Sequence, residues 1–246
     1  MKLTLGRLLG FTFLMGLLAG CASSPEPTQR AQVRASVAYA GWQHLSLPGK
    51  AVTEYQPIVL DGRDALEVNS NASASLLRRK LAVAGGELGR LHFAWKVPAL
   101  IDGSDMARRD AEDSVVRVIL SFDGDRSRLS TRDHMLSELA HLMTGEPMPY
   151  ATLMYVWCPT RPAGSVIHNP RTDRIRKLVV ESGGSRLNQW LDYERDIRAD
   201  FRAVFGEDPG RLIGMAIMTD SDNTASSARA WYGAIRLEPA VVASSD

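Results

Sequence analysis

The residues whose types could do chemistry are two acidic turns, a histidine-bearing segment, a set of aromatics and two cysteines. Asp220-x-Asp222-x-Thr224 opens like a calcium loop, with hard oxygen donors at alternate positions. Its sixth position is Ala225 and its twelfth is Trp231, where an EF-hand needs a Gly for its turn and a Glu for bidentate ligation. Asp220, Asp222, Asn223 and Thr224 still place oxygen donors within one turn, which makes them a candidate metal site with Ca2+ as its cofactor. The stronger reading is that these side chains accept backbone N–H bonds and fix a turn, as Asx-rich segments commonly do. Asp123-Gly124-Asp125 is the second acidic turn, and the Arg126 and Arg128 that follow it oppose a cation. Together Asp123/Asp125 and Asp220/Asp222 would suit a metal-dependent hydrolase, the alternative function, only if both turns reach one pocket, within about 10 Å.

His134, Glu138 and His141 fall on one helical face, but the two His are about 10.5 Å apart along the axis, too far to share an ion. Among the five Trp, Trp95 alternates with Phe93 and Val97 and reads as core. Tyr155 and Trp157 share one strand face and either line a groove, where their rings would stack on a sugar, or fill the interior. With Asp123 and Asp125 they are the candidate ligand-binding residues. Arg171, Arg174, Arg176 and Lys177 form a basic patch that reads as solvated surface. No Gly-x-Ser-x-Gly elbow, His-Glu-x-x-His pair, phosphate loop or dinucleotide fingerprint occurs, so no catalytic residue is assigned.

Cys21 has a different chemistry. Lys2 and Arg7 precede an apolar run from Leu8 to Leu18, which closes in Leu18-Ala19-Gly20-Cys21. This is the order of a secretory signal, and the run is too short to cross a bilayer as a helix. The end of the run resembles a bacterial lipobox, which implies that Cys21 is lipidated and becomes the new N-terminus after cleavage of residues 1–20. Ala22 stands where lipoproteins retained at the inner membrane tend to carry Asp, so the resemblance implies the outer membrane, facing the periplasm. Residues 21–38, with Pro25 and Pro27 among small polar side chains, read as a flexible tether, and 241–246 as a disordered tail. Cys158 is then left without an intrachain partner, and burial is expected of it.

Positioning falls to residues 39–240, which read as one all-β domain with two short helices. Alternation marks strands at Leu91–Val97, Val115–Phe122, Leu153–Trp157, Ile175–Glu181, Leu212–Thr219 and Trp231–Leu237, with weaker signals at Ala65–Val68 and Ser75–Val83. The Leu212–Thr219 run is apolar on both sides, as a strand covered on both faces should be. Ser130-Thr131-Arg132-Asp133 reads as a capping box before a helix whose stripe is Met135, Leu136, Leu139, Leu142 and Met143. That stripe is expected inward, with His134, Glu138 and His141 in solvent. Glu194–Phe205 reads as a second helix, with Ile197, Phe201, Val204 and Phe205 on its stripe. Many strands and two helices point to a β-sandwich.

The stretches Ala151-Thr152-Leu153-Met154-Tyr155-Val156-Trp157, Arg195-Asp196-Ile197-Arg198-Ala199-Asp200-Phe201 and Phe205-Gly206-Glu207-Asp208-Pro209 resemble an uncharacterised bacterial family, domain of unknown function 3047. Met218 to Thr224 and Leu47-Pro48-Gly49-Lys50 support the match, which spans about Trp42 to Leu237. The strand order is similar to galactose-binding-like jelly rolls of carbohydrate-binding modules, and that implies fold only.

Composition narrows the partners. With 29 Lys+Arg against 28 Asp+Glu, the net charge of +1 lacks the basic excess of a nucleic-acid-coating protein. The expected partners are the membrane, through the anchor, and a glycan or envelope protein; no nucleic acid is expected. The function these readings support is a non-catalytic binding or envelope-accessory domain, with carbohydrate as the ligand class. Substituting Cys21→Ala should abolish incorporation of labelled palmitate in growing cells, whereas label retained on the variant would contradict the lipobox.

Overall fold

The computed structural model describes residues 39–240. The signal segment, Cys21, the 21–38 tether and the 241–246 tail lie outside the described residues. Two sheets face one another. The larger runs β1 (Gln43–Ser46), β4 (Ser75–Val83), β11 (Leu212–Asp220), β6 (Ser114–Phe122), β7 (Ala151–Cys158), β9 (Ile175–Ser182) and β8 (Val166–His168). The smaller runs β10 (Leu191–Asp196), β5 (Leu88–Lys96), β12 (Ser227–Tyr232), β3 (Arg63–Asn71) and β2 (Glu54–Leu60), with β13 (Arg236–Pro239) also on β5. Strands β4, β5 and β6, and again β9 to β12, alternate between the sheets, and every pairing except β7–β9 is antiparallel. This is a β-sandwich of jelly-roll type.

Period-two patterning decides what lies between the sheets. Val118, Leu120 and Phe122 of β6, Leu153, Tyr155 and Trp157 of β7, and Leu91, Phe93 and Trp95 of β5 point inward and are buried together. Phe93 stacks on Tyr155 at 5.6 Å and on Tyr193 at 5.2 Å between ring centres. The alternate positions of the large sheet are covered as well. Ile119, Met154, Val156, Cys158, Val179 and Met218 form a second buried cluster beneath Met106, from the connection between β5 and β6. Cys158 is a free, buried thiol, as expected.

The helices are α1 (Thr131–Thr144) and α2 (Ile197–Phe205). Ser130 accepts the Asp133 N–H at the start of α1, and Asp196 accepts the Ala199 N–H at the start of α2. Gly145 and Gly206 close them at φ 77° and 73°, a conformation costly for residues with a Cβ. Residues 194–196 are strand, not helix, because β10 pairs with β5 in that stretch. The Trp231–Leu237 segment is likewise two strands, because its register on β5 shifts by one residue between Tyr232–Trp95 and Arg236–His92.

Helix α2 buries Ile197, Phe201 and Val204 as its stripe requires. Helix α1 does the reverse. Its buried residues are Asp133 and Ser137, while Met135, Leu139, Leu142 and Met143 are exposed. Polar ties set that orientation: Thr172 donates to Asp133, and Arg126 donates to Ser137 at 2.5 Å.

The Tyr155 hydroxyl donates to Asp200 at 2.8 Å, and Arg195 donates to the same carboxylate at 2.9 Å, which fastens α2 to the large sheet. Removing that donor with Tyr155→Phe leaves Asp200 short of one partner and should cost about 1–3 kcal/mol in urea denaturation. An unchanged midpoint would show that this bond does not hold the helix.

Candidate functional site

Each candidate residue of the sequence has a definite place. Tyr155 and Trp157 are buried in the interior, where Trp157 donates to the Gly183 carbonyl at 2.8 Å. They line no groove, because β7 is central in its sheet and its inner face meets β5. The two acidic turns are also separated. Asp123 follows the end of β6 where Phe122 pairs with Leu212, whereas Asp220 pairs with Ser114 at the other end. Eight residues of strand lie between, roughly 26 Å. Asp123 pairs with Arg211, and Asp125 accepts from Ser127, so both fix the local turn. No hydrolytic pocket joins the pairs, and the hydrolase reading falls.

At the Asp220 end the register brings in a residue that local spacing did not reveal. Asp113, Asp220 and Asp222 hold carboxylate oxygens within 4.8 Å of one another. Each is already engaged. Asp220 accepts from the Ser114 N–H and from Arg117, both at 2.9 Å. Asp113 accepts the N–H groups of Asn223 and Thr224 at 3.0 and 2.7 Å and the Thr224 hydroxyl at 2.5 Å. Asp222 pairs with Lys50. Arg117 and Lys50 supply the countercharge to this cluster. The three carboxylates are a candidate cation cluster, and through Asp113 they also lock the turn after β11.

The network continues along the outer face of the large sheet. Lys177, fully buried, donates to the Met106 carbonyl at 2.9 Å and to Glu112 at 2.8 Å, and Arg171 and Asn169 reach the same carboxylate. Arg174 pairs with Glu207 and lies 3.9 Å over the Tyr150 ring. Within the sequence's basic patch Lys177 is buried, Arg174 and Arg176 are half-buried, and Arg171 stays exposed while pairing with Glu112. Burial, followed by the charge of Arg117, pulls Lys177 down to about 8. Burial pushes Asp220 up to about 7, more than Arg117 offsets.

A surface with recognition chemistry lies on the opposite side, on the outer face of the smaller sheet. Trp190 and Trp231, which sequence patterning did not single out, are half-buried there. Trp231 pairs in register with Glu67 and Lys96, and its indole N–H donates to Glu67 at 3.1 Å. The Trp190 indole donates to Asp61 at 3.2 Å, and Lys96 reaches the same Asp61 oxygen at 2.7 Å. Lys96 sits 5.9 Å from the Trp231 ring centre and Arg63 5.4 Å from that of Trp190. Each indole is therefore held by a hydrogen bond at its edge and a cation at its face. Two residues along β12 from Trp231, Arg229 borders an open cleft of about 540 Å³ that Glu54, Asn69 and Asn71 also line. The signal available in the sequence was Trp231 alternating with Ala230 and Tyr232, which sets it on the outer face.

The family model described as a protein of unknown function, DUF3047, matches residues 40–236. The chain belongs to this family. No curated protein matches it in sequence. Solved structures similar to the DUF3047 domain include the family 11 carbohydrate-binding module of cellulosomal cellulase Lic26A-Cel5E of Clostridium thermocellum. Identity there is 10%, covering 83% of this chain and 91% of that one, at a TM-score of 0.39. The xyloglucanase domain of NopAA, a type three effector from Sinorhizobium fredii, is 8% identical over 81% and 93%, at a TM-score of 0.43.

Asp220 gives this arrangement a pH signature. Between 3.8 and about 7 the folded chain keeps a proton on Asp220 that the unfolded chain releases, so stability falls as pH rises through that window. Urea midpoints measured across it should show this component in the natural chain and lose it in Asp220→Asn. Equal slopes in both would contradict the assignment.

Proposed function

We propose that the protein is a lipid-anchored binding module of the cell envelope. It recognises a polysaccharide through the outer face of the smaller sheet, and the anchor is Cys21 in the outer membrane, facing the periplasm. The observation that carries the reading is the pair of edge-bonded, half-exposed indoles, Trp190 and Trp231, one carboxylate and one ammonium apart. Indole faces stack on the C–H faces of sugar rings, and fixing the rings before the ligand arrives lowers the entropic cost of binding. Around them Glu67, Arg229, Asn69 and Asn71 offer the acceptors and donors that sugar hydroxyls need. A polar platform with two flat apolar spots suits a chain of neutral sugars better than a lipid or a nucleic acid.

Binding to purified envelope polysaccharide and to peptidoglycan sacculi tests this. Trp190→Ala and Trp231→Ala should each weaken the interaction about tenfold while leaving the unfolding midpoint near that of the natural chain. A double variant that binds as tightly as the natural protein would remove this face from the account.

A further inference from the structure

Helix α1 turns an apolar stripe outward. Met135, Leu139, Leu142 and Met143 are 66%, 52%, 85% and 59% exposed, and they fall on one side at helical spacing. Arg132 lies in the same stripe and has no partner among the described residues. The opposite side is tied down by Asp133 to Thr172 and by Ser137 to Arg126. These bonds hold the apolar side outward, where no element among the described residues covers it. A patch of this kind marks a contact surface.

Its place in the fold says what covers it. Glu146, next after the Gly145 cap, is gripped by Arg78 at 2.6 Å and by Lys80 at 2.8 Å on the outer face of β4. Arg78 is the register partner of Gln43, the residue at which the chain enters the sheet from the side of Cys21. The end of α1 and the first strand are thus one side-chain contact apart, with residues 39–42 between that strand and the tether and the Tyr39 hydroxyl donating to the Gly233 carbonyl at 2.8 Å. Any lipid carried on Cys21 links a bilayer to the start of β1 through 22 residues of chain.

We propose that α1 lies flat on the phospholipid surface that holds the anchor, its stripe sunk into the acyl boundary and Arg132 at the headgroup phosphates. The proposal rests on the anchored reading above and extends it to orientation. A 14-residue helix is about 21 Å long, too short to span the hydrocarbon and suited to the interface. Arg132 carries its methylenes along the apolar stripe and its charge to the anionic surface. Because Arg78 and Lys80 hold α1 to the side of the large sheet, this pose turns the Trp190/Trp231 face away from the bilayer, where an envelope polysaccharide can reach it.

The test uses the full lipidated chain in phosphatidylethanolamine–phosphatidylglycerol vesicles, with an environment-sensitive dye on Leu142→Cys or on Ser185→Cys as control. Cys158 is 2% exposed, so labelling is selective. The dye at 142 should shift to shorter wavelength and be quenched by bromolipid several-fold more than the dye at 185. Adding Arg132→Glu and Leu139→Glu should abolish the difference without moving the unfolding midpoint. Equal quenching at both sites overturns the proposal, as does a shift at 142 with no bromolipid quenching, the mark of a second copy or a protein partner. Flotation reads the anchor separately: a chain that floats with unquenched dye loses the helix pose alone, and one that does not float loses the anchor and the pose with it.

Discussion

The structure depends on strand β6 being buried on both faces at the middle of the larger sheet. Its inward positions, Val118, Leu120 and Phe122, close the sandwich interior. Its outward positions, Arg117 and Ile119, meet the connection that lies across the sheet from Lys96 to Ser114. A charged side chain in that outward row needs a countercharge beside it. Arg117 is paired with Asp220 on β11, and Lys177 on β9 with Glu112 from the covering connection. The ion pairs therefore dictate how the cover docks, and with it the ends of three strands. Buried pairs of this kind contribute little net stability, but losing one partner leaves an uncompensated charge, at a cost of about 3–5 kcal/mol.

That two-sided burial also decides where binding can occur. The central strands of the larger sheet have no free face, since one side meets the smaller sheet and the other is roofed. The smaller sheet keeps its outer face open, and two indoles sit on it with carboxylates and cations fixing their edges and faces. The aromatics of β7, which looked like groove material, are the ones the interior needed. The acidic turns, which looked like metal or catalytic material, hold loops and caps at opposite ends of one strand pair.

Legibility followed the physics of each element. Strands β4, β6, β9 and β11 were readable within a residue or two, because buried strands carry dense apolar patterning. Strands β1, β2, β8 and β10 were missed; their residues are mostly exposed or half-buried, and pairing rather than composition makes them strands. Periodicity located α1 and its stripe but not the direction it faces, which Arg126 just before the helix and Thr172 farther along the chain set through side-chain bonds. Asp113 was invisible as a partner of Asp220 for the same reason: only the β6–β11 register brings them together. Trp190 and Trp231 are far apart in sequence and share a surface only once β10, β5 and β12 are side by side.

The central claim is that Trp190 and Trp231 form the binding face. Five Trp give five indole N–H resonances in a 15N-labelled protein, one for each of Trp42, Trp95, Trp157, Trp190 and Trp231. Titration with solubilised envelope polysaccharide should move the signals of Trp190 and Trp231 and leave those of the buried Trp95 and Trp157 in place. Shifts confined to the other indoles, or saturable binding that moves none of the five, would contradict the account.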